Sequence, residues 1–136
     1  MTKLKQLLLS ALLLAAPIKA TAHFAFGTPD FQANSAVLDE RAKEILTDAA
    51  TWLERLPDRN LRIYCNRGEL EIDAFVCQKR LQNAQAFLIG LGVDADRIVL
   101  VDLGASQPSR QNCKSEDSPD ECDRFNRIIQ LDLFAP

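Results

Sequence analysis

Histidine is nearly absent from this chain, since only one of its 136 residues, His23, is a histidine. The side chain that most often serves enzymes as a general acid or base is therefore missing from almost the whole sequence. The G-x-S-x-G, H-E-x-x-H and phosphate-loop motifs are missing as well. Neighbouring acids such as Glu69 and Glu71 also occur in hydrolases, but among 19 acidic residues such neighbours are expected without function. We therefore predict that the protein is not an enzyme and has no catalytic residue.

The chain also lacks the residue spacings of a metal site. Its four cysteines include no C-x-x-C pair and are irregularly spaced, whereas zinc sites combine Cys and His at short, regular intervals. His23 would need a further ligand, such as a second histidine, to hold copper firmly. We therefore predict that the protein binds no metal ion and no other cofactor.

The apolar run at residues 7–16 is too short to cross a bilayer as a helix. It follows Lys3 and Lys5 and precedes a small-x-small site at residues 20–22, which is the pattern of a signal peptide. We assign residues 1–22 to a signal peptide and start the mature, exported domain at His23. A retained membrane anchor is the alternative. The absence of a cysteine after the run argues against an acyl anchor, so the cleaved protein would have no direct membrane anchor.

An excess of positive charge is missing too. Removing residues 1–22 removes three lysines and leaves 13 basic and 19 acidic residues, a formal charge of −6. A domain with this balance is a poor binder of nucleic acid or of an anionic membrane through its overall field. We therefore predict no nucleic-acid partner, and any bound anion requires a local basic pocket.

Four cysteines in an exported chain indicate two disulfide bonds, and three pairings are open. We favour Cys113–Cys122, which closes a short polar loop within the long segment 104–123. The second bond is then Cys65–Cys77, which ties the end of a predicted strand to the start of a predicted helix.

Hydrophobic periodicity predicts two helices. Leu81, Ala84 and Leu88 share one apolar stripe, and Gly92 supplies the residue without Cβ that a left-handed helix stop needs. An earlier stripe predicts a helix that begins at an N-cap, Asn34 or Ser35, and continues to about residue 56.

Alternating or continuous apolar segments predict four strands, at residues 23–31, 61–65, 98–103 and 128–134. Ile129, Leu131 and Leu133 form a wholly apolar face on the last strand, which we expect to face the helices. Two crossover helices on one face of a mixed sheet, in the order βαβαββ, predict an α+β fold, a two-layer α/β sandwich formed by residues 23–136.

Several short motifs occur in the order of a known family. Around the second helix, the pattern N-x-x-L-S-x-x-R-A is approximated by Asp73, Val76, Cys77 and Arg80. The pattern L-x-x-x-G-[IV]-x-x-x-[RK]-[IV] is matched by Leu88, Gly92, Val93, Arg97 and Ile98. FQANSAVL at 31–38, LRIYC at 61–65, LGASQP at 103–108 and NRIIQLDLF at 126–134 resemble further motifs of the same family. The mature chain resembles the OmpA-like domain, the peptidoglycan-binding module that also occurs in Pal-type and MotB-type proteins.

This resemblance implies a non-catalytic partner of peptidoglycan, located in the periplasm and associated with the cell wall or outer membrane. In the family, an arginine takes the carboxylate of stem-peptide diaminopimelate and an aspartate takes its ammonium. Arg80 falls on that arginine, Asn126 and Arg127 fall on the closing N-R motif, and Asp73 replaces the family asparagine. We expect Arg80 at the domain surface. Some members also have a disulfide just before the closing strand, which fits Cys113 and Cys122.

The chain departs from the family at the ligand loop, where G-H-T-D is replaced by the segment 65–68. The family aspartate has no clear equivalent. Glu69, which we include in the predicted ligand-binding set, and Glu71 are the candidate substitutes. The alternative function is an OmpA-like fold with a degenerate pocket, which would act as a protein-interaction or structural module with an envelope protein partner. If the two arginines bind no ligand and have only structural roles, Arg80 pairs with Asp73 and Arg127 forms a salt bridge at the start of the last strand.

Overall fold

The computed structural model describes residues 25–105 and 116–136. Its elements, in chain order, are helix α1 (Glu40–Arg55), strand β1 (Asn60–Asn66), helix α2 (Val76–Gly90), strand β2 (Ile98–Gly104), helix α3 (Pro119–Asp123) and strand β3 (Ile128–Phe134). β1 lies at the centre of the sheet, parallel to β2 and antiparallel to β3. The predicted α+β class with a mixed sheet is confirmed. The predicted signal peptide and His23 lie outside the described residues.

The core lies between the sheet and the two longer helices. Leu61, Ile63 and Cys65 alternate along β1 and are fully buried, because alternate strand residues point to the same face. They join one cluster with residues of both helices, among them Leu46, Leu53, Leu81 and Leu88. Ile129 belongs to the same cluster, and Leu131 and Leu133 pack against it. The apolar face predicted for the last strand is therefore the face turned to the helices.

Helix α1 begins later than the predicted N-cap. Its N-cap is Asp39, whose carboxylate accepts a hydrogen bond of 2.7 Å from the backbone N–H of Ala42. An aspartate at this position satisfies one of the free N–H groups of the first turn and interacts favourably with the positive end of the helix dipole. The prediction of Asn34 or Ser35 as N-cap was wrong: Asn34 lies in a turn, and Ser35 lies in the connection that follows the turn and precedes the helix.

The predicted first strand is reduced to a single bridge, between Asp30 and Ile128. Within residues 25–31, Pro29 contributes only its carbonyl, which accepts from the N–H of Ile129 at 3.0 Å. Proline has no backbone N–H to donate, so it cannot continue a ladder of hydrogen bonds. The described sheet therefore has three strands.

The connection from α2 to β2 follows the sequence prediction closely. Gly92 has φ +98°, and the N–H groups of Gly92 and Val93 donate to the carbonyls of Ile89 and Leu88, as in a Schellman motif. Arg97, at the end of the short 3-10 turn before β2, donates to three carbonyls, one in the last turn of α1 at residue 53 and two just after it at residues 56 and 59. The motif arginine at this position therefore joins the end of α1 to the start of β2. None of the helices within residues 25–105 and 116–136 is both long and apolar enough to span a bilayer.

Cys65 and Cys77 form a disulfide with their Cα atoms 5.6 Å apart. It joins the end of β1 to the first turn of α2, and both cysteines are buried in the core. The bond brackets residues 66–76, the segment that carries Glu69 and Glu71. The other favoured pairing involves Cys113, which lies outside the described residues.

We predict that the Cys65→Ala/Cys77→Ala variant has a free energy of unfolding about 3 kcal/mol lower than the wild type, because the crosslink restricts the unfolded chain. Urea denaturation followed by circular dichroism measures the difference. The Cys65→Ala and Cys77→Ala single variants should each lose the whole contribution of the disulfide to the free energy of unfolding. An unchanged urea midpoint in the double variant would contradict this role.

Candidate functional site

Arg80 lies near the start of α2 and has no exposed surface. The expectation that this side chain is presented at the surface was wrong. A guanidinium remains charged at any ordinary pH, so burying it requires a compensating negative charge and hydrogen-bond acceptors. The surroundings of Arg80 supply both.

The charge of Arg80 is compensated by Glu71. Arg80 Nη1 donates to Glu71 Oε2 at 2.8 Å, and Nη2 donates to Oε1 in a second, parallel hydrogen bond. Oε1 also accepts from the N–H of Asn34 at 2.9 Å, and Oε2 accepts from the N–H of Gly68 at 2.8 Å. The Glu71 side chain is only 1% exposed. Four donors therefore enclose one carboxylate in a bidentate geometry suited to an arginine.

The remaining contacts of Arg80 join it to the segment before α1. Nε donates to the carbonyl of Ser35 at 2.8 Å, and Nη2 also donates to the carbonyl of Gln32 at 3.2 Å. The guanidinium carbon lies 4.7 Å from the centre of the Phe31 ring, a cation–π distance. Arg80 thus connects α2, the segment 31–36 and the segment that carries Glu71.

Asn34 links the segment before α1 to the segment that carries Glu71. It has φ +54°, a left-handed conformation that asparagine tolerates better than most residues. Its side-chain Oδ1 accepts from the N–H groups of Ile72 and Asp73, at 2.9 and 3.1 Å. Together with its own N–H bond to Glu71, these contacts hold residues 67–73 over Arg80. We call residues 67–73 the covering segment.

A second buried carboxylate holds the covering segment from the other side. Asp123 accepts from the N–H groups of Glu69 and Leu70, at 2.7 and 3.2 Å. Arg127 Nη1 lies 3.8 Å from Asp123 Oδ2, and Asn126 Nδ2 donates to Asp123 Oδ1 at 3.4 Å. All three members of this cluster, Asp123, Asn126 and Arg127, are at least nine-tenths buried.

Arg127 is bound on several sides. Nη1 forms a 3.0 Å hydrogen bond to Asp120, and Nε donates to the carbonyl of Phe31 at 3.0 Å. The motif pair Asn126 and Arg127 therefore supports Asp123, and through it the backbone of the covering segment.

The structure brings together some of the predicted ligand-binding residues and separates others. Asn126 and Arg127 share one buried cluster, and the acid that meets Arg80 is Glu71. Glu69 is exposed, because the 68–71 turn, closed by the Glu71 N–H to the Gly68 carbonyl at 3.2 Å, places its two central residues outward and its two end residues inward.

Asp73 does not form the predicted alternative pair with Arg80. Its carboxylate accepts from Lys79 Nζ at 2.8 Å and from the N–H of Phe75 at 2.9 Å. These hydrogen bonds, from Lys79 first and then from Phe75, lower the pKa of the Asp73 carboxyl. Asp73 therefore orders the start of α2 on its outer side.

Sequence reasoning missed Asn34 and Asp123 as site residues, and it placed Glu69 rather than Glu71 in the ligand-binding set. The only available signal for Glu71 was its position within a shortened loop close to Arg80 in sequence. Asp123 lies more than fifty residues from the segment it binds, in an acidic stretch where nothing distinguishes it from its neighbours.

Burial alone would raise the pKa of the Glu71 carboxyl. Hydrogen bonds from Arg80 and from the Gly68 N–H, together with the Arg80 charge and the Asn34 N–H, outweigh that effect. The net result is a pKa below the ordinary value, so Glu71 is ionised at neutral pH.

This lowered pKa predicts an acid-labile contribution to stability. The contribution is complete above the unfolded-state pKa of Glu, about 4.3, and is lost as the pH falls through the lower folded-state value. We expect the difference in free energy of unfolding between wild type and Glu71→Gln to shrink below about pH 4.3. Urea titrations from pH 7 to pH 3 measure it. Glu69→Gln, on the exposed side of the same turn, should keep the wild-type pH profile, and a constant wild-type advantage at all pH values would contradict the prediction.

Gly68 is required by the close approach of the covering segment to Asp123. A Cβ at this position would overlap Asp123 Oδ2 and lie 2.8 Å from its Cγ, both in the buried cluster. We expect Gly68→Ala to lower the free energy of unfolding by about 1–3 kcal/mol through overpacking. Gly90→Ala is the matched control, because a Cβ there meets nothing within 4 Å and should be neutral or stabilising. Equal urea midpoints for the two variants would refute the close packing at Gly68.

Comparisons with known proteins agree with the motif resemblance at the level of structure. No protein-family model matches the chain, and no curated protein sequence matches it. Solved structures do match it. The peptidoglycan-associated lipoprotein from Burkholderia pseudomallei has a TM-score of 0.66 at 23% identity, over 79% of this chain and 89% of that chain.

Two further structures support the same fold. The C-terminal domain of MotB from Helicobacter pylori has a TM-score of 0.66 at 13% identity, over 82% of this chain and 88% of that one. The OmpA-like domain of FopA1 from Francisella tularensis has a TM-score of 0.53 at 13% identity, over 78% and 70%. At such identities a structural match shows a shared fold, whereas function is decided by the site. The chain therefore has the fold of the OmpA-like domain, as the motif resemblance predicted.

Proposed function

We propose that this protein is a non-catalytic domain of the cell envelope, located in the periplasm, that binds peptidoglycan through a stem-peptide carboxylate at Arg80. The observation that carries the proposal is the set of donors around that arginine. Its two terminal nitrogens and the N–H groups of Asn34 and Gly68 form a complete binding site for one carboxylate. The fold agrees with this role, since one solved structure of similar fold is a peptidoglycan-associated lipoprotein.

The chemistry of the ligand follows from these donors. A planar guanidinium fork matches a carboxylate with two parallel hydrogen bonds and suits a stem-peptide carboxyl group better than a sugar hydroxyl. The domain has a formal charge of −6 after the predicted signal peptide is removed, so binding depends on this local site rather than on the overall field. In this structure the Glu71 carboxylate fills the Arg80 site, so a stem-peptide carboxylate binds there only when Glu71 has moved away.

A second candidate function is a protein-interaction or structural module. The observation that favours it is the closure of the site, since Arg80 has no exposed surface and the Glu71 side chain is 1% exposed. In that case the covering segment is a permanent part of the fold, and an envelope protein is the partner.

Co-sedimentation with purified peptidoglycan sacculi distinguishes the two candidates. The informative variant is Arg80→Met/Glu71→Leu, because replacing both members of a buried ion pair with apolar residues usually preserves the fold, whereas removing one leaves an unpaired charge. We expect the mature domain, from residue 23 onward, to pellet with sacculi and the double variant to bind about tenfold less tightly, a loss of about 1.4 kcal/mol.

Lys79→Ala is the control, since it removes an exposed positive charge near Arg80 without touching the buried site. It should bind like the wild type. If neither the wild type nor the double variant pellets, or if both pellet equally, the peptidoglycan proposal fails. Failure to pellet would then favour the protein-interaction module.

A further inference from the structure

The carboxylate of Glu71 occupies a site made by other parts of the chain. Its four donors come from three places, namely α2, the segment before α1 and the Gly68 turn. Three of these donors belong to Arg80 and Asn34, which lie outside the covering segment. They would bind the carboxylate of another molecule in the same geometry, because nothing in their contact depends on the rest of the glutamate side chain.

Exchange of one carboxylate for another preserves the electrostatic balance of the site. Removing Glu71 without replacement would leave the Arg80 charge buried and unpaired, which is strongly unfavourable. A second carboxylate restores both the neutralising charge and the two parallel hydrogen bonds. The site therefore selects a carboxylate as the replacement ligand.

The covering segment is held mainly by polar contacts. Leu70 and Ile72, two of its apolar side chains, are 55% and 90% exposed. They bury little apolar surface, so lifting the segment would forfeit little hydrophobic stabilisation. Its attachments to the body include the Arg80–Glu71 pair, hydrogen bonds with Asn34 and Asp123, and a 2.8 Å hydrogen bond from the Arg67 N–H to the Gly104 carbonyl. The Cys65–Cys77 disulfide fixes both ends of the segment's connection, so an opening can remain local.

We propose that Glu71 is an internal ligand of a carboxylate-binding site, and that a carboxylate on another molecule binds by displacing it. The wild-type chain is therefore self-inhibited. Its apparent affinity for an external carboxylate is reduced by the small fraction of molecules in which Glu71 has left Arg80. This inference rests on the proposed function for the identity of the natural ligand, but carboxylate exchange itself can be tested without peptidoglycan.

The test is chemical rescue of Glu71→Ala by acetate. Truncation leaves the donors in place and opens room for a small carboxylate, and a ligand that binds only the folded state raises the melting temperature. At neutral pH we expect sodium acetate to raise the melting temperature of Glu71→Ala by about 4 °C relative to sodium chloride of equal ionic strength. The wild type and Glu69→Ala should show no such difference between the two salts.

Glu71→Asp keeps the test decisive if Glu71→Ala does not fold. Its shorter carboxylate retains the negative charge but reaches Arg80 less well, so its acetate shift should lie between those of wild type and Glu71→Ala. Equal responses to acetate and chloride in the folded Glu71 variants would overturn the internal-ligand proposal. An acetate shift of the same size in the wild type would overturn it as well.

Sacculus binding by the same variants separates this inference from the proposed function. If both hold, Glu71→Ala or Glu71→Asp pellets with sacculi more strongly than the wild type. Acetate rescue with no pelleting by any variant would uphold the internal ligand and reject peptidoglycan as the natural ligand. Pelleting that is indifferent to residue 71 would leave peptidoglycan binding in place and reject the internal ligand.

Discussion

The rest of the site depends on one constraint, the neutralisation of a fully buried guanidinium. Arg80 enters the interior with α2, and its positive charge can be tolerated there only beside a carboxylate with its own hydrogen bonds satisfied. Glu71 meets this requirement, and the need to bring it inward determines the path of the covering segment. The left-handed backbone of Asn34 and the turn at Gly68 both provide N–H groups to the same carboxylate.

Two arginine–carboxylate pairs hold the covering segment in place. The Arg80–Glu71 pair acts through a side chain of the segment, and the Arg127–Asp123 pair acts through its backbone N–H groups. Phe31 connects the two, since its ring lies against Arg80 and its carbonyl accepts from Arg127. Arg80 and Arg127 therefore belong to a single polar layer beneath the segment.

The charge pairing in this layer differs from the one that the family resemblance implies. The resemblance implies an arginine and an acid that face a zwitterion from two directions, each taking one charge. In this chain the acid faces the arginine itself, so the two charges are matched internally before any ligand arrives. Proteins with the same fold can therefore differ in whether the arginine is paired internally or is free for a ligand. The proposed exchange of carboxylates would convert the internally paired site into the ligand-bound one.

The sequence alone determined the class of the fold, because hydrophobic spacing fixes which faces of α1, α2 and β3 must be buried wherever they are placed. It also determined that α2 ends just before Gly92, where the left-handed backbone conformation excludes most other residues. It did not determine the first strand, since a single bridge depends on how residues 25–31 lie against β3. The tertiary structure decided the charge pairing of Arg80. Whether that arginine meets Asp73, Glu69 or Glu71 depends on a turn whose direction is set by distant contacts with Asn34 and Asp123, and such contacts leave no periodic signal in a sequence.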